Sequence, residues 1–232
     1  MSYIIHLSWH EWALIASTIL VYASMFRYIY SILKGNTKPN LIGWLLYQIA
    51  TLCILLSSYE LGSIPTIMLS LAFAITQLIV IILSFRYGFT KMERVEAVYF
   101  GISMISLIFW VIGTHSPELM KALDLSERGL AIFVLTTNTI IEIMWALAIF
   151  TKLYNHPETE DSISWGLGWL AGLFSLLALS TYTYEDVLYP MYILISNIAI
   201  WLLCFRKKPR WRFIHVFSRM ERIFGSNWRG KE

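Results

Sequence analysis

The chain has 232 residues, of which 57% are apolar and only 14% charged, with a formal net charge of +3 and a mean hydropathy of +0.61. A soluble domain carries about 25% charged residues, so this composition excludes an ordinary water-soluble fold, and so small a net charge gives no support for nucleic-acid binding. What remains is a polytopic protein of the lipid bilayer. A span there needs about 20 apolar residues, and each is a helix because lipid offers the backbone no hydrogen-bond partner.

Seven spans are predicted, in order Trp9–Leu33, Asn40–Ser57, Ile64–Phe85, Val95–Gly113, Gly129–Tyr154, Ile163–Tyr182 and Val187–Phe205. The first begins with no basic region before it, so no cleavable signal peptide is expected. Gly35 and Pro39 stop it, and Asn40, a good N-cap residue, opens the second. Gly62 and Pro65 frame a tight turn into the third span, which carries Gln77 about halfway along. Pro117 lies in the one long loop, between the fourth and fifth spans. Asp161 opens the sixth span as Asn40 opens the second, and Glu185-Asp186 separates the sixth from the seventh. Cys53 and Cys204 fall inside apolar spans and are read as packing residues.

Lys and Arg set the orientation. The N-terminus and the loops after spans 2, 4 and 6 carry only Lys121 and Arg128. The opposite side carries Lys34, Lys38, Arg86, Lys91, Arg94, Lys152 and a tail with nine more, from Arg206 to Lys231. The basic side is expected to be cytoplasmic, with the N-terminus outside. Within the tail, Trp211, Phe213, Val216, Phe217, Met220 and Phe224 recur every three or four residues among arginines. That pattern predicts a basic amphipathic helix on the inner membrane surface, attracted to anionic headgroups.

The chain repeats itself. At an offset of 121, Asn40-x-Ile-x-Trp44 maps onto Asp161-x-Ile-x-Trp165. At an offset of 120, Thr76-Gln77 maps onto Ser196-Asn197 and Phe85-Arg86 onto Phe205-Arg206. Spans 1–3 therefore correspond to spans 5–7, and span 4 restores the direction of the second copy. The expected fold class is an all-α membrane protein of seven transmembrane helices, built as two parallel three-helix repeats joined by a linker helix. Its parts are a first repeat (1–88), a linker helix with an outer loop (89–128), a second repeat (129–206) and the tail (207–232).

Ile29 through Trp44, with its twin Ile149 through Trp165, resembles the first-to-second helix connection of the SWEET and PQ-loop group of 3+1+3 membrane proteins. More closely, His156-Pro157-Glu158-Thr159-Glu160 and Tyr189-Pro190-Met191-Tyr192, followed by Asn197 and Arg206, resemble a family of bacterial integral membrane proteins with no known activity. That likeness implies a bacterial inner membrane. The Pro-Gln pair that names the PQ-loop group is replaced here by Arg27-Tyr28 and Ala148-Ile149. SWEET transporters carry an amide in each third helix that contacts the sugar, and Gln77 and Asn197 match that placement.

Five further residues bear on chemistry. Glu142 lies near the middle of span 5, where an ionisable group is costly and marks a functional site by default. It is the candidate for a proton- or cation-coupling site or for a contact to a polar substrate, with proton coupling first among these; the alternative is a protonated packing acid that bonds one neighbouring helix. Asn138, one turn earlier, is placed to bond it. Trp145 and Trp169 lie deep enough to line a cavity, although ordinary packing explains them equally well. Gln48 has no amide counterpart in the second repeat, where Trp169 stands. Trp9, Trp12, Trp211 and Trp228 read as interfacial anchors; Trp44 and Trp165, near the cytoplasmic interface, are ambiguous, with an anchor the favoured reading.

No HExxH, CxxC, P-loop or GxSxG pattern occurs. Span 7 has no lysine for a retinal Schiff base, and the histidines are scattered. Neither an enzyme, a metal site nor a cofactor is expected. The expected function is transport of a small polar solute by alternating access, with Gln77, Asn197, Asn138, Trp145 and Trp169 as substrate-binding candidates and Glu142 as the coupling group. The alternative is a non-transporting sensor or scaffold of the same architecture. A homo-oligomer is compatible with either.

Overall fold

A computed structural model describes residues 7–88, 94–122, 124–155, 157 and 160–206. The predicted tail helix, with Trp211 and Trp228, lies outside the described residues. The described chain is all helical: α1 (Trp9–Leu33), α2 (Leu41–Leu61), α3 (Ile64–Tyr87), α4 (Arg94–His115), α5 (Pro117–Ala122), α6 (Glu127–Asn155), α7 (Ser162–Leu177) and α8 (Tyr184–Cys204). Five of them, α1, α2, α3, α6 and α8, contain stretches long and apolar enough to cross a membrane, and α4 and α7 carry shorter apolar stretches. This is a multi-pass membrane protein.

The distribution of polarity agrees. On α3, Thr66, Ser70, Thr76, Gln77 and Ser84 are buried, whereas Ile75, Leu78, Ile79, Ile82 and Phe85 are exposed. Water would favour the reverse; lipid tolerates apolar surface and penalises polar groups facing it. Most of the inward hydroxyls bond a carbonyl one turn back, as Ser70 Oγ does to Thr66, Thr76 Oγ1 to Ala72 and Ser84 Oγ to Val80, at 2.7–2.8 Å.

The helix ends follow from their residues. Ser8 and Glu11 form a capping box at α1. Asn40 caps α2 through Ile42 N–H, and Asp161 caps α7 through Ser164 N–H. Gly62 ends α2 at φ +71°, a left-handed turn that costs glycine little.

Three expectations need correcting. Glu185-Asp186, expected to separate the sixth and seventh spans, lie in the first turn of α8. The loop containing Pro117 holds the short helix α5. Span 6 ends at Leu177 instead of Tyr182. Beyond it, the hydroxyls of Thr181 and Thr183 both donate to Asp186 Oδ2, at 2.9 and 2.8 Å. Those bonds draw the segment toward the first turn of α8 and compete with helix continuation.

The closest helix pairs are α1 with α7, α7 with α8, α2 with α6, α2 with α3, α1 with α3 and α6 with α8, while α4 leans on α2 and α6. Serines tie α1 to α7: Ser17 Oγ donates to Ala171 O at 2.9 Å and Ser24 Oγ to Ser164 O at 2.8 Å. Pro190 interrupts α8 and cannot bond the carbonyl of Asp186 one turn back. Thr66 Oγ1, on α3, donates to that carbonyl at 3.4 Å.

Candidate functional site

The centre of the bundle holds a polar knot around Thr51. Its hydroxyl donates to Glu142 Oε1 at 2.9 Å and accepts from Gln77 Nε2 at 3.2 Å, joining α2, α6 and α3. Glu142, Gln77 and Thr51 are each fully buried. From α8, Tyr192 donates its hydroxyl to the backbone carbonyl of Glu142 at 3.0 Å. Tyr189 and Tyr192 pack with ring centroids 6.0 Å apart, Tyr47 stands beside them, and all three are within electrostatic range of the Glu142 carboxyl. Tyr189 is also next to Thr51, but its hydroxyl forms no bond of acceptable geometry. Glu142 Oε2 and Gln77 Oε1 likewise have no hydrogen-bond partner. No Lys, Arg or His pairs with Glu142 among the described residues.

The other predicted residues lie elsewhere. Asn138 turns away from Glu142 toward α4: its Nδ2 donates to Ser106 Oγ at 3.0 Å and to Val134 O at 2.9 Å. Asn197 bends back onto its own helix, donating to Ile193 O at 2.8 Å, with its Oδ1 pressed against Gly168. The cause is the close approach of α7 and α8. A Cβ on Gly172 would meet Leu194 N at 2.6 Å, and one on Gly168 would run into the Asn197 side chain itself. Gln77 and Asn197 are both buried, but in separate surroundings that share no hydrogen-bond partner.

Trp145 does sit beside the knot. Its ring stacks on Tyr47 at 4.6 Å and meets the edge of Trp44 at 5.8 Å. Trp169 does not; it packs against Trp201 at 6.0 Å. Gln48 is buried, with an unpartnered Oε1.

The two ends of the bundle differ. At the end where α2 and α7 begin, Arg27 grips Asp161 at 2.9 Å, linking α1 to the start of α7. Tyr28 lies between Trp44 at 5.3 Å and Trp165 at 6.2 Å. The anchor reading of Trp44 is therefore corrected: it is only 4% exposed, because Tyr28, Tyr47 and Trp145 enclose it. Trp9 and Trp12 are well exposed, as an anchor requires. At the opposite end a cavity of about 290 Å³ is lined by Ser63, Arg128, Thr181, Thr183, Glu185 and Asp186, among others. Arg128 pairs with the buried Glu185 there. This cavity reaches neither Gln77 nor Asn197.

Sequence reasoning missed Thr51, Tyr47, Tyr189 and Tyr192. One signal was present: hydroxyl side chains four apart (Tyr47, Thr51) and three apart (Tyr189, Tyr192) share helix faces inside apolar spans. The chain matches no protein-family profile, no curated protein and no solved structure.

Proposed function

We propose that this protein moves a small polar solute across the bilayer by alternating access. Two three-helix units, α1–α3 and α6–α8, rock about a midplane site, with α4 joining them. The observation that carries the reading is the buried carboxyl of Glu142, lodged among α2, α3, α6 and α8 with one oxygen unpartnered. Intramembrane acids are expensive, and they mark ion and substrate paths. Glu142 is the coupling group, taking up a proton or another small cation in step with the solute.

The pattern of helix contacts supports the duplicated layout. Superposing α1–α3 on α6–α8 exchanges the α1–α7 contact with the α6–α2 contact. It also carries α1–α3 onto α6–α8 and α2–α3 onto α7–α8, and all of these pairs are in contact. The resemblance to the SWEET and PQ-loop group points the same way. Within the site, Gln77 and the Tyr47–Trp145 pair supply hydrogen bonds and a stacking surface for the solute.

A thermal-shift screen of purified protein against sugars, vitamins, nucleosides and amino acids tests this, because a ligand of the folded state raises apparent stability by mass action. Wild type should respond to one class, and Gln77→Ala should not. If no class stabilises the protein and none crosses reconstituted vesicles, transport is wrong.

The separate surroundings of Gln77 and Asn197 favour a second reading, a sensor or scaffold that keeps the fold without an open path. It predicts binding of a ligand without its uptake into vesicles.

A further inference from the structure

We infer that the knot around Thr51 is a binding site for one small monovalent cation, with Na⁺ as the probe. This rests on the reading of Glu142 as a coupling group and names the class of ion.

Orphaned buried oxygens carry the argument. Gln77 Nε2 donates to Thr51, the Thr51 hydroxyl to Glu142 Oε1, and the Tyr192 hydroxyl to the Glu142 carbonyl, while the Tyr189 hydroxyl, able to donate as well as accept, forms no hydrogen bond. Three buried oxygens are left over, Glu142 Oε2, Gln77 Oε1 and Tyr189 Oη, all from side chains that meet at Thr51. The first two can only accept while Glu142 is ionised. A single proton on Glu142 would convert one acceptor into one donor and satisfy one pair. A hard cation coordinates several oxygens at once, which is what an all-oxygen set with one formal charge suits. Ca²⁺ or Mg²⁺ sites draw on more carboxylate charge. Among the described residues no second acid joins Glu142: the packed elements contribute Tyr47 and Thr51 from α2, Gln77 from α3, and Tyr189 and Tyr192 from α8.

The position suits a coupling ion. The orphaned oxygens come from α3 on one side and α6 and α8 on the other, with Thr51 of α2 bonded between them. A bound cation would hold the two three-helix units in one arrangement, and its departure would leave the Glu142 charge unbalanced in that arrangement. An ion with different affinity for two conformations shifts their populations.

The experiment measures thermal unfolding of the purified full-length protein at pH 8 in NaCl, KCl, LiCl and choline chloride of equal ionic strength. Na⁺ should raise the midpoint in a concentration-dependent way, with K⁺ and choline ineffective. Glu142→Gln should abolish the response. Tyr189→Phe keeps the shape of the ring and removes one oxygen, so about tenfold more Na⁺ should be needed for the same shift; this variant serves if Glu142→Gln does not fold. Equal midpoints in all four salts, together with a pH dependence of stability that disappears in Glu142→Gln, would overturn the cation site while leaving a proton-coupled transporter intact. If neither salt nor pH acts through Glu142, the coupling role falls as well.

Discussion

Asp161 does two jobs with one carboxylate. It accepts from Ser164 N–H at 2.9 Å as the N-cap of α7, and it receives Arg27 of α1 at 2.9 Å. The cap is local to the second three-helix segment and the ion pair crosses to the first, so a change at this residue registers in both.

Asp161→Ala should therefore lower stability more than Arg27→Ala. Loss of the cap costs about 1 kcal/mol, and loss of a half-exposed ion pair adds no more than about 1 kcal/mol. Asp161→Asn keeps the cap and loses only the pair, so its midpoint should fall between wild type and Asp161→Ala. Thermal unfolding in detergent of the three variants orders them.

Thr51→Val removes the hydroxyl that links Glu142 to Gln77 without changing the shape of the side chain. Two buried polar groups then lose a partner, at about 1–3 kcal/mol each. Thr51→Ser should restore most of the loss. Equal midpoints for Val and wild type would mean that the bonds carry no net energy.

Gly172→Ala places a methyl 2.6 Å from the backbone nitrogen of Leu194. The helices must separate, at about 1–3 kcal/mol. The same separation frees the side chain of Asn197 from its own helix, so the ligand response of the protein should change along with its stability. Gly101→Ala, where a new Cβ meets nothing within 4 Å, is the neutral control.

Trp145→Ala opens space between Tyr47, Trp44 and Gly43. Removing a packed aromatic costs about 3–5 kcal/mol at full burial, and this half-buried ring should cost less. Trp145→Phe should recover stability but lose affinity for whichever solute the screen identifies, if the indole is the stacking surface. Binding measured alongside unfolding separates the two effects.

Much of the helix layout was legible in the residues themselves. Asn40 and Asp161 cap because short polar side chains reach back to the first-turn N–H groups, a strictly local matter. The Gly62–Pro65 turn is local in the same sense. The partners of Glu142 were not legible. Periodicity tells which face of α6 carries the acid, but not that Thr51, 91 residues away in sequence, and Tyr192, 50 residues away, will oppose it. Asn138 and Glu142 share that stretch of α6, yet they address different neighbours, since α4 lies against one face and α2 against the other. The match between Gln77 and Asn197 was legible as a pattern and misleading as geometry. At the offset of 121, Thr51 falls on Gly172, and where Thr51 meets polar side chains Gly172 meets the backbone of α8.

The proline in α8 gives the molecule a joint. Asp186, freed from the helix ladder at Pro190, is held by Thr66 of α3, while its neighbour Glu185 is held by Arg128 of α6. Beyond the proline, the helix lies flush on α7 at Gly172. The first turn of α8 is thus fastened to one set of neighbours and its shaft to another. Flexing at Pro190 would let this end of the bundle follow α3 while the shaft keeps its seat, so the cavity lined by Arg128 and Glu185 would change shape without disturbing the core beneath it.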